Sequence, residues 1–461
     1  MRDRLRKFTA FTERLLPHET AYLMGHHQLE DADRIAILER VERNSREVSS
    51  FLPYDESIDK RKYHHLRHWM EKKLAAIDVD ERHAWLLRLE RLIVTDAIDQ
   101  EDERQLLRAI RHYEHPGFYF MKFYEVLGHY RHFLQIRMRY RDHATVHDFL
   151  MTYADHYARS KEGYDRLHAV TQDVVEQYAR RGGESWQWAE SLEQVFLDGD
   201  MDGLNRYLAL VRLTFVSFNH REYDRILVHF DRIDRAFRDG RNYSPRLLTN
   251  YYGNRMLLHA YRREYERAIY YGWLSVRSLN YDHLFYVNNL ASLLLRLDRE
   301  TEALELLQGA KQAAKTTVNS YNRIGYTAFY LEALLKTGRL EQAESYGESY
   351  LRAYRKEILR YRWHLFFTVY LLALLRRGQP TRALKVIRQF KLLDRDAAAA
   401  NKPGYLPTIP TLAELARWRE GLLTDKEFHA SFRKRLHSLP EASEERERFA
   451  AFCRDLEPLL Q

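Results

Sequence analysis

Residues 285–310 read FYVNNLASLLLRLDRETEALELLQGA. Leu290, Leu293, Leu294 and Leu297 recur at the three-and-four spacing that lines one face of an α-helix. Asp298 and Arg299 interrupt the apolar run. Ala303, Leu304, Leu307 and Ala310 then resume it, so the stretch predicts two helices joined by a tight turn. Ala303 and Ala310 are small, which lets the two helix backbones approach closely.

The same pattern returns on both sides. Downstream, YTAFYLEALLKTGRLEQAESYGESYL (326–351) places Gly338 five residues before Ala343, and FFTVYLLALLRRGQPTRALKVIRQF (366–390) places Gly378 five before Ala383. A helix end needs a left-handed residue at this point, and glycine adopts that conformation without steric cost. Pro380 falls where the second helix starts, which suits its fixed φ and missing amide hydrogen. Upstream, Tyr265 stands three residues before Ala268, and Tyr223 three before Ile226. From Ile226 the steps between anchors are 42, 35, 40 and 40 residues, enough for two helices plus their loops.

Residues of about 205–391 resemble tetratricopeptide repeats, which place a small residue in the first helix of each pair, a turn, and alanines in the second. The resemblance implies an all-α fold, an α-solenoid of antiparallel helix hairpins. In that family the first helix of each hairpin lines a concave face. Aligned on the alanine anchors, Arg212, Asn254, Asn288, Asn289, Glu332, Lys336 and Arg376 are expected near that face. Asn and Arg donors there suit the backbone or carboxylates of an extended peptide.

Before residue 205 the pattern is helical without repeating. Helices are expected over 59–76, 80–97, 101–113, 116–140 and 145–180, with Asp59, Asp80 and Pro116 at helix starts. Residues 394–410, DRDAAAANKPGYLPTIP, hold three prolines and read as a linker. About three short amphipathic helices are expected beyond it, closing an exposed solenoid end. The organisation read this way is a helical N-terminal region (1–140), a repeat array (141–393), the linker (394–410) and capping helices (411–461).

Composition limits the class of function. Apolar residues make up 45% and charged residues 30% of 461, so the chain can bury a sizeable core. A single cysteine, Cys453, excludes a disulfide framework and a cysteine zinc site, and points to a reducing cytoplasm. The opening MRDRLRKFTAFTERLL lacks the apolar core of a signal peptide, and no apolar run is long enough to span a membrane. The net charge of +8 comes mostly from arginine. Acidic residues are interleaved throughout, as in RILVHFDRIDRAFRDGR, so these charges read first as solvated helix faces with local ion pairs.

Four features carry possible chemistry. The string DGDMDG places Asp198, Asp200 and Asp202 before Gly203, as in the first half of a calcium loop, but the twelfth position is Ala209 rather than a bidentate Glu. The competing reading is an aspartate that caps the next helix. His64, His68 and Glu71 share one helical face and His143 and His147 lie four apart, yet neither pair has a placed third ligand. In HPGFYFMKFYEVLGHYRHF (115–133), aromatics interleaved with basic residues suit base stacking, whereas Phe120, Phe123, Tyr124 and Leu127 at helical spacing suit a buried stripe. No phosphate loop, HExxH string or nucleophile elbow occurs, so neither an enzyme nor a cofactor is implied. The expected function is a non-catalytic scaffold that binds a protein or peptide. The alternative is an RNA-binding repeat using its Arg- and Tyr-rich face, and membrane insertion is not expected.

Overall fold

A computed structural model of the chain describes residues 5–48, 50–180, 183–400, 404–439 and 443–460. The described residues form α-helices and two short 3-10 turns, with no strand among them. They divide into two compact units, Met1–Ser278 and Leu279–Gln461, so the division falls inside the expected repeat array. Residues 1–4, 401–403, 440–442 and 461 of the expected opening helix, linker and cap lie outside the described residues.

Five helix pairs lie where the sequence spacing leads one to expect them. They are Gly203–Asn219 with Tyr223–Arg238, Pro245–Tyr261 with Tyr265–Ser275, His283–Arg296 with Glu300–Gly309, Ser320–Lys336 with Leu340–Tyr361, and Trp363–Arg376 with Pro380–Gln389. In each pair the anchor residue (Ile226, Ala268, Ala303, Ala343, Ala383) is the fourth residue of the second helix and is fully buried. Each first helix ends at a left-handed residue five positions earlier: Arg221, Arg263, Asp298, Gly338 or Gly378, with φ between 54° and 74°. The following amide closes back over the helix end, from Glu222 to Ser217 O, Glu264 to His259 O, Arg299 to Leu294 O, Arg339 to Leu334 O and Gln379 to Leu374 O, at 2.8–3.0 Å. This six-to-one bond is the Schellman closure. It satisfies an orphan carbonyl and fixes the angle at which the second helix leaves.

In the first unit, helices from the N-terminal region share one apolar core with Gly203–Asn219, Tyr223–Arg238 and Pro245–Tyr261. Leu23, Leu38 and Met70 lie in this core beside Leu213, Phe230 and Tyr252. Polar bonds run the same way: His18 meets Asp234 at 2.9 Å, and Val79 N donates to Tyr243 O at 2.8 Å. Residues 5–48 and 50–77 are therefore packed on the first helix pairs and do not form a body of their own. Helices Val79–Val94, Gln100–Arg111, Phe120–Ile136 and Tyr140–Thr152 supply a second apolar core, in which Phe123 and Leu127 are buried. Tyr124 stays partly exposed and stacks on Tyr157 at 4.3 Å. The aromatic run thus packs mainly inward.

In the second unit, His283–Arg296 packs on Ser320–Lys336, which packs on Trp363–Arg376, which packs on Thr408–Arg419. First helices touch first helices in sequence order.

Several boundaries differ from expectation. Asp59 caps its helix, with its carboxylate on Arg61 N at 2.9 Å. Asp78, not Asp80, caps Val79–Val94, because Asp80 instead takes the Arg246 guanidinium and the Tyr119 hydroxyl. The helix expected from Pro116 starts at Phe120, after a loop that the Tyr113 hydroxyl holds through Gly117 N at 3.1 Å. The single element expected over 145–180 is two helices, Tyr140–Thr152 and Ala154–Arg180, because the first ends at Tyr153. The expected linker is partly helical: Leu392–Ala397 forms a short helix, and Thr408–Arg419 takes Pro410 into its first turn, where a missing amide hydrogen does no harm. Three helices, Thr408–Arg419, Asp425–Ser438 and Glu444–Leu456, complete the C-terminal region.

Candidate functional site

The expected inner-face residues divide into two groups. Arg212, Asn254 and Asn288 are engaged within the fold. Arg212 donates to Leu167 O and to Thr171 Oγ1, binding Ala154–Arg180 to Gly203–Asn219, and burial lowers its pKa. Asn254 donates to Asn250 Oδ1 at 3.0 Å. Asn288 is buried and donates to Asn322 O at 2.9 Å, joining two adjacent first helices. Asn289 is partly exposed beside it.

Glu332, Lys336 and Arg376 do come together, and the structure adds a partner that sequence reasoning missed. Asp455, near the end of the C-terminal helix Glu444–Leu456, lies 3.5 Å from Lys336 Nζ through its carboxylate and 2.8 Å from Arg376 Nη2 through its carbonyl. Arg419 donates to Leu459 O just beyond. Lys336, Arg376 and Arg419 are the last residues of three successive first helices, and each stands two positions before a left-handed glycine: Gly338, Gly378 or Gly421. A cation at a helix C-terminus complements the negative end of the helix dipole. Here Arg376 also takes a carbonyl at the end of the C-terminal helix, Arg419 one in the 3-10 turn that follows it, and Lys336 the Asp455 carboxylate. Burial, with the Asp455 carboxylate nearby, pushes Glu332 up to about 7, while Lys336 opposes the rise. The signal in the sequence was the spacing of basic residues ahead of the glycines.

The three aspartates of DGDMDG take different roles. Asp202 is buried and caps Gly203–Asn219, accepting Asn205 N at 3.1 Å and Met121 N at 3.0 Å. Burial raises it to about 6, against those hydrogen bonds. Asp198 pairs with Arg159 at 2.8 Å and accepts Asp200 N at 2.9 Å. The Asp200 carboxylate is exposed and lies beside two histidines from distant segments, His115 and His156, with one potential ligand atom from each of the three within 4.8 Å of the others. Sequence reasoning flagged Asp200 but not the histidines, which stand 85 and 44 positions away. The pairs it did flag gather no third ligand among the described residues, and Glu71 is held by Arg67 at 2.8 Å.

His115 also lines a cavity of about 680 Å³ in the first unit, enclosed by the Ile77–Val79 junction, the 113–120 loop and the helices carrying Arg206 and Arg232. Arg82, Arg206 and Arg232 line it and pair with no carboxylate among the described residues. Burial, and then the charge of Arg232, lower the pKa of Arg206. Cys453 is partly buried, and burial pushes its thiol up to about 12, which disfavours the thiolate. No described helix is long and apolar enough to cross a membrane. No protein-family model, curated protein or solved structure matches the chain.

Proposed function

We propose that this protein is a non-catalytic helical-repeat scaffold, an α-solenoid, whose first helices present a binding face for a segment of a protein partner. The observation that carries the reading is the row Lys336, Arg376 and Arg419, which the chain's own C-terminal helix and the turn after it occupy through one carboxylate and two main-chain carbonyls. Such a row recognises helix ends and acidic side chains without regard to most of the sequence. It therefore favours a short acidic helical segment as the partner element. The packing of first helix on first helix in the second unit supports the same reading, because the successive helices Ser320–Lys336, Trp363–Arg376 and Thr408–Arg419 each end in one of these cations.

The test is binding of a labelled peptide spanning residues 443–460, followed by fluorescence anisotropy. The intact chain holds its own copy at high effective concentration and resists the peptide. Asp455→Ala in the chain weakens the resident helix, so the wild-type peptide is expected to bind this variant more tightly than the intact chain. Adding Lys336→Ala and Arg376→Ala is expected to abolish that binding. No saturable binding to the Asp455→Ala variant removes the proposal. Tight binding of a single-stranded RNA that weakens steeply with salt supports the nucleic-acid alternative instead.

A further inference from the structure

The strongest cluster outside the proposed binding face lies in the first unit, where three segments meet. His115 sits in the loop between Gln100–Arg111 and Phe120–Ile136, His156 is the third residue of Ala154–Arg180, and Asp200 is in the turn before Gly203–Asn219. We propose that His115, His156 and Asp200 form a binding site for one divalent transition-metal ion of the zinc class.

The bracket that holds these residues is rigid. Gly203 N donates to Gly117 O at 3.3 Å and Leu204 N to Phe118 O at 2.8 Å, which fastens the His115 loop to the Asp200 turn. Asp202 adds a third link through Met121 N. A Cβ on Gly203 would lie 2.7 Å from Phe118 Cα, a main-chain atom that cannot yield, so glycine is required for this approach. His115 Nδ1 meets the Tyr113 hydroxyl at 3.3 Å, which orients the ring, and Nε2 donates to the Asp200 carbonyl oxygen at 3.1 Å. An ion on Nε2 would replace that hydrogen bond and leave the ring proton on Nδ1, where the Tyr113 hydroxyl can accept it.

Two features fit a bound ion at this point. His156 Nδ1 is buried and has no hydrogen-bond partner, although its ring centroid lies only 4.6 Å from that of His115. A buried polar atom without a partner is unfavourable unless something fills the place. In addition, Asp200 is the one aspartate of its turn whose carboxylate is committed neither to an ion pair nor to a cap among the described residues. Asp198 and Asp202 instead shape the turn that presents it.

The donor set selects the ion. Two imidazoles and one carboxylate suit zinc and its first-row neighbours, whereas calcium and magnesium require a shell of oxygens. Tetrahedral coordination places donors about 3.4 Å apart. The cluster spans up to 4.8 Å, so closure needs a short inward swing, and Asp200 is exposed and can make it. The cluster borders the arginine-lined cavity through His115.

The experiment is calorimetric titration of the full chain with ZnCl2 after chelator treatment and dialysis, with visible Co2+ absorption as a second readout of coordination. One ion per chain is expected, with a Co2+ spectrum typical of low coordination number. His156→Ala and Asp200→Asn are expected to bind zinc at least about tenfold more weakly. Because Asp200 is exposed, its variant keeps the fold, which circular dichroism verifies. His147→Ala, an exposed residue on another helix, is expected to leave binding unchanged. The proposal is overturned if the wild-type chain binds no zinc, or binds it no more tightly than Asp200→Asn.

Discussion

The Tyr243 hydroxyl donates to Oε1 of Glu19, joining residues 224 positions apart inside the first unit. Glu19 also accepts Leu16 N at 2.7 Å at the start of Pro17–Gly25. Burial dominates this carboxyl and pushes it up to about 7, although both hydrogen bonds pull the other way. A carboxyl raised in the folded state binds its proton more tightly there than in the unfolded chain. Its contribution is complete below the unfolded value near 4.5 and is lost as pH rises through about 7. The unfolding free energy of the first unit is expected to fall by up to about 3 kcal/mol across that window from this group. Glu19→Gln is expected to flatten the slope, as read by denaturant titrations at stepped pH. An unchanged slope in the variant refutes the assignment.

Two glycines in the second unit separate backbone strain from crowding. Gly338 has φ +74° and open space where a Cβ would sit. Gly338→Ala should therefore cost only the left-handed penalty, about 1–2 kcal/mol. Gly347 lies inside Leu340–Tyr361, where a Cβ would meet the Tyr370 ring at 2.6 Å. Gly347→Ala gains helix propensity but must displace that ring from the facing helix, and its net cost is expected to reach about 1–3 kcal/mol. Crystallography or chemical shifts should show Tyr370 moved in the second variant and unmoved in the first.

The helix pairs were legible because the chain writes them locally. Each turn needs a left-handed residue five positions before a small or β-branched anchor, and Gly338–Ala343 and Gly378–Ala383 state this directly. Arg221, Arg263 and Asp298 occupy the same place without glycine, so there only the apolar spacing revealed the turn. Asp78 was missed as a cap because Asp80 two residues on reads equally well, and only the position of Arg246, 166 residues away, decides between them. The candidate sites were less legible for the same reason. Asp455 reaches Lys336 across 119 positions, and His115 reaches Asp200 across 85. Nothing local records such meetings. Asn288 and Arg212 show the converse: polar residues on a first helix can be taken up by neighbouring helices before any guest arrives.

Asp202 joins the buried amide of Asn205 and the part-buried amide of Met121 to one carboxylate. Removing it leaves both donors without this acceptor, the Asn205 amide in a buried site. Asp202→Ala is expected to destabilise the first unit by about 2–4 kcal/mol, combining the loss of a cap with an unsatisfied amide from another helix. Equilibrium denaturation measures the loss. A change below about 0.5 kcal/mol would show that the turn repacks and that the carboxylate is not what fastens it.

Arg376 reaches two carbonyls, Leu335 O on the adjacent first helix and Asp455 O on the C-terminal helix. The second bond is the shorter, at 2.8 Å against 3.3 Å, and it ties the C-terminal helix to the end of Trp363–Arg376. Arg376→Ala should therefore act unequally. The amides of Glu444–Leu456 are expected to exchange with deuterium roughly tenfold faster, corresponding to a loss of about 1.4 kcal/mol in local protection. Those of Ser320–Lys336 and Leu340–Tyr361 should change little, because their apolar contacts remain. Arg376→Lys keeps the charge but not the two-armed reach, and should restore only part of the protection. Uniformly faster exchange throughout the second unit would instead place Arg376 in the general stability of the stack, and the C-terminal helix would then not be a separately releasable occupant of the cation row.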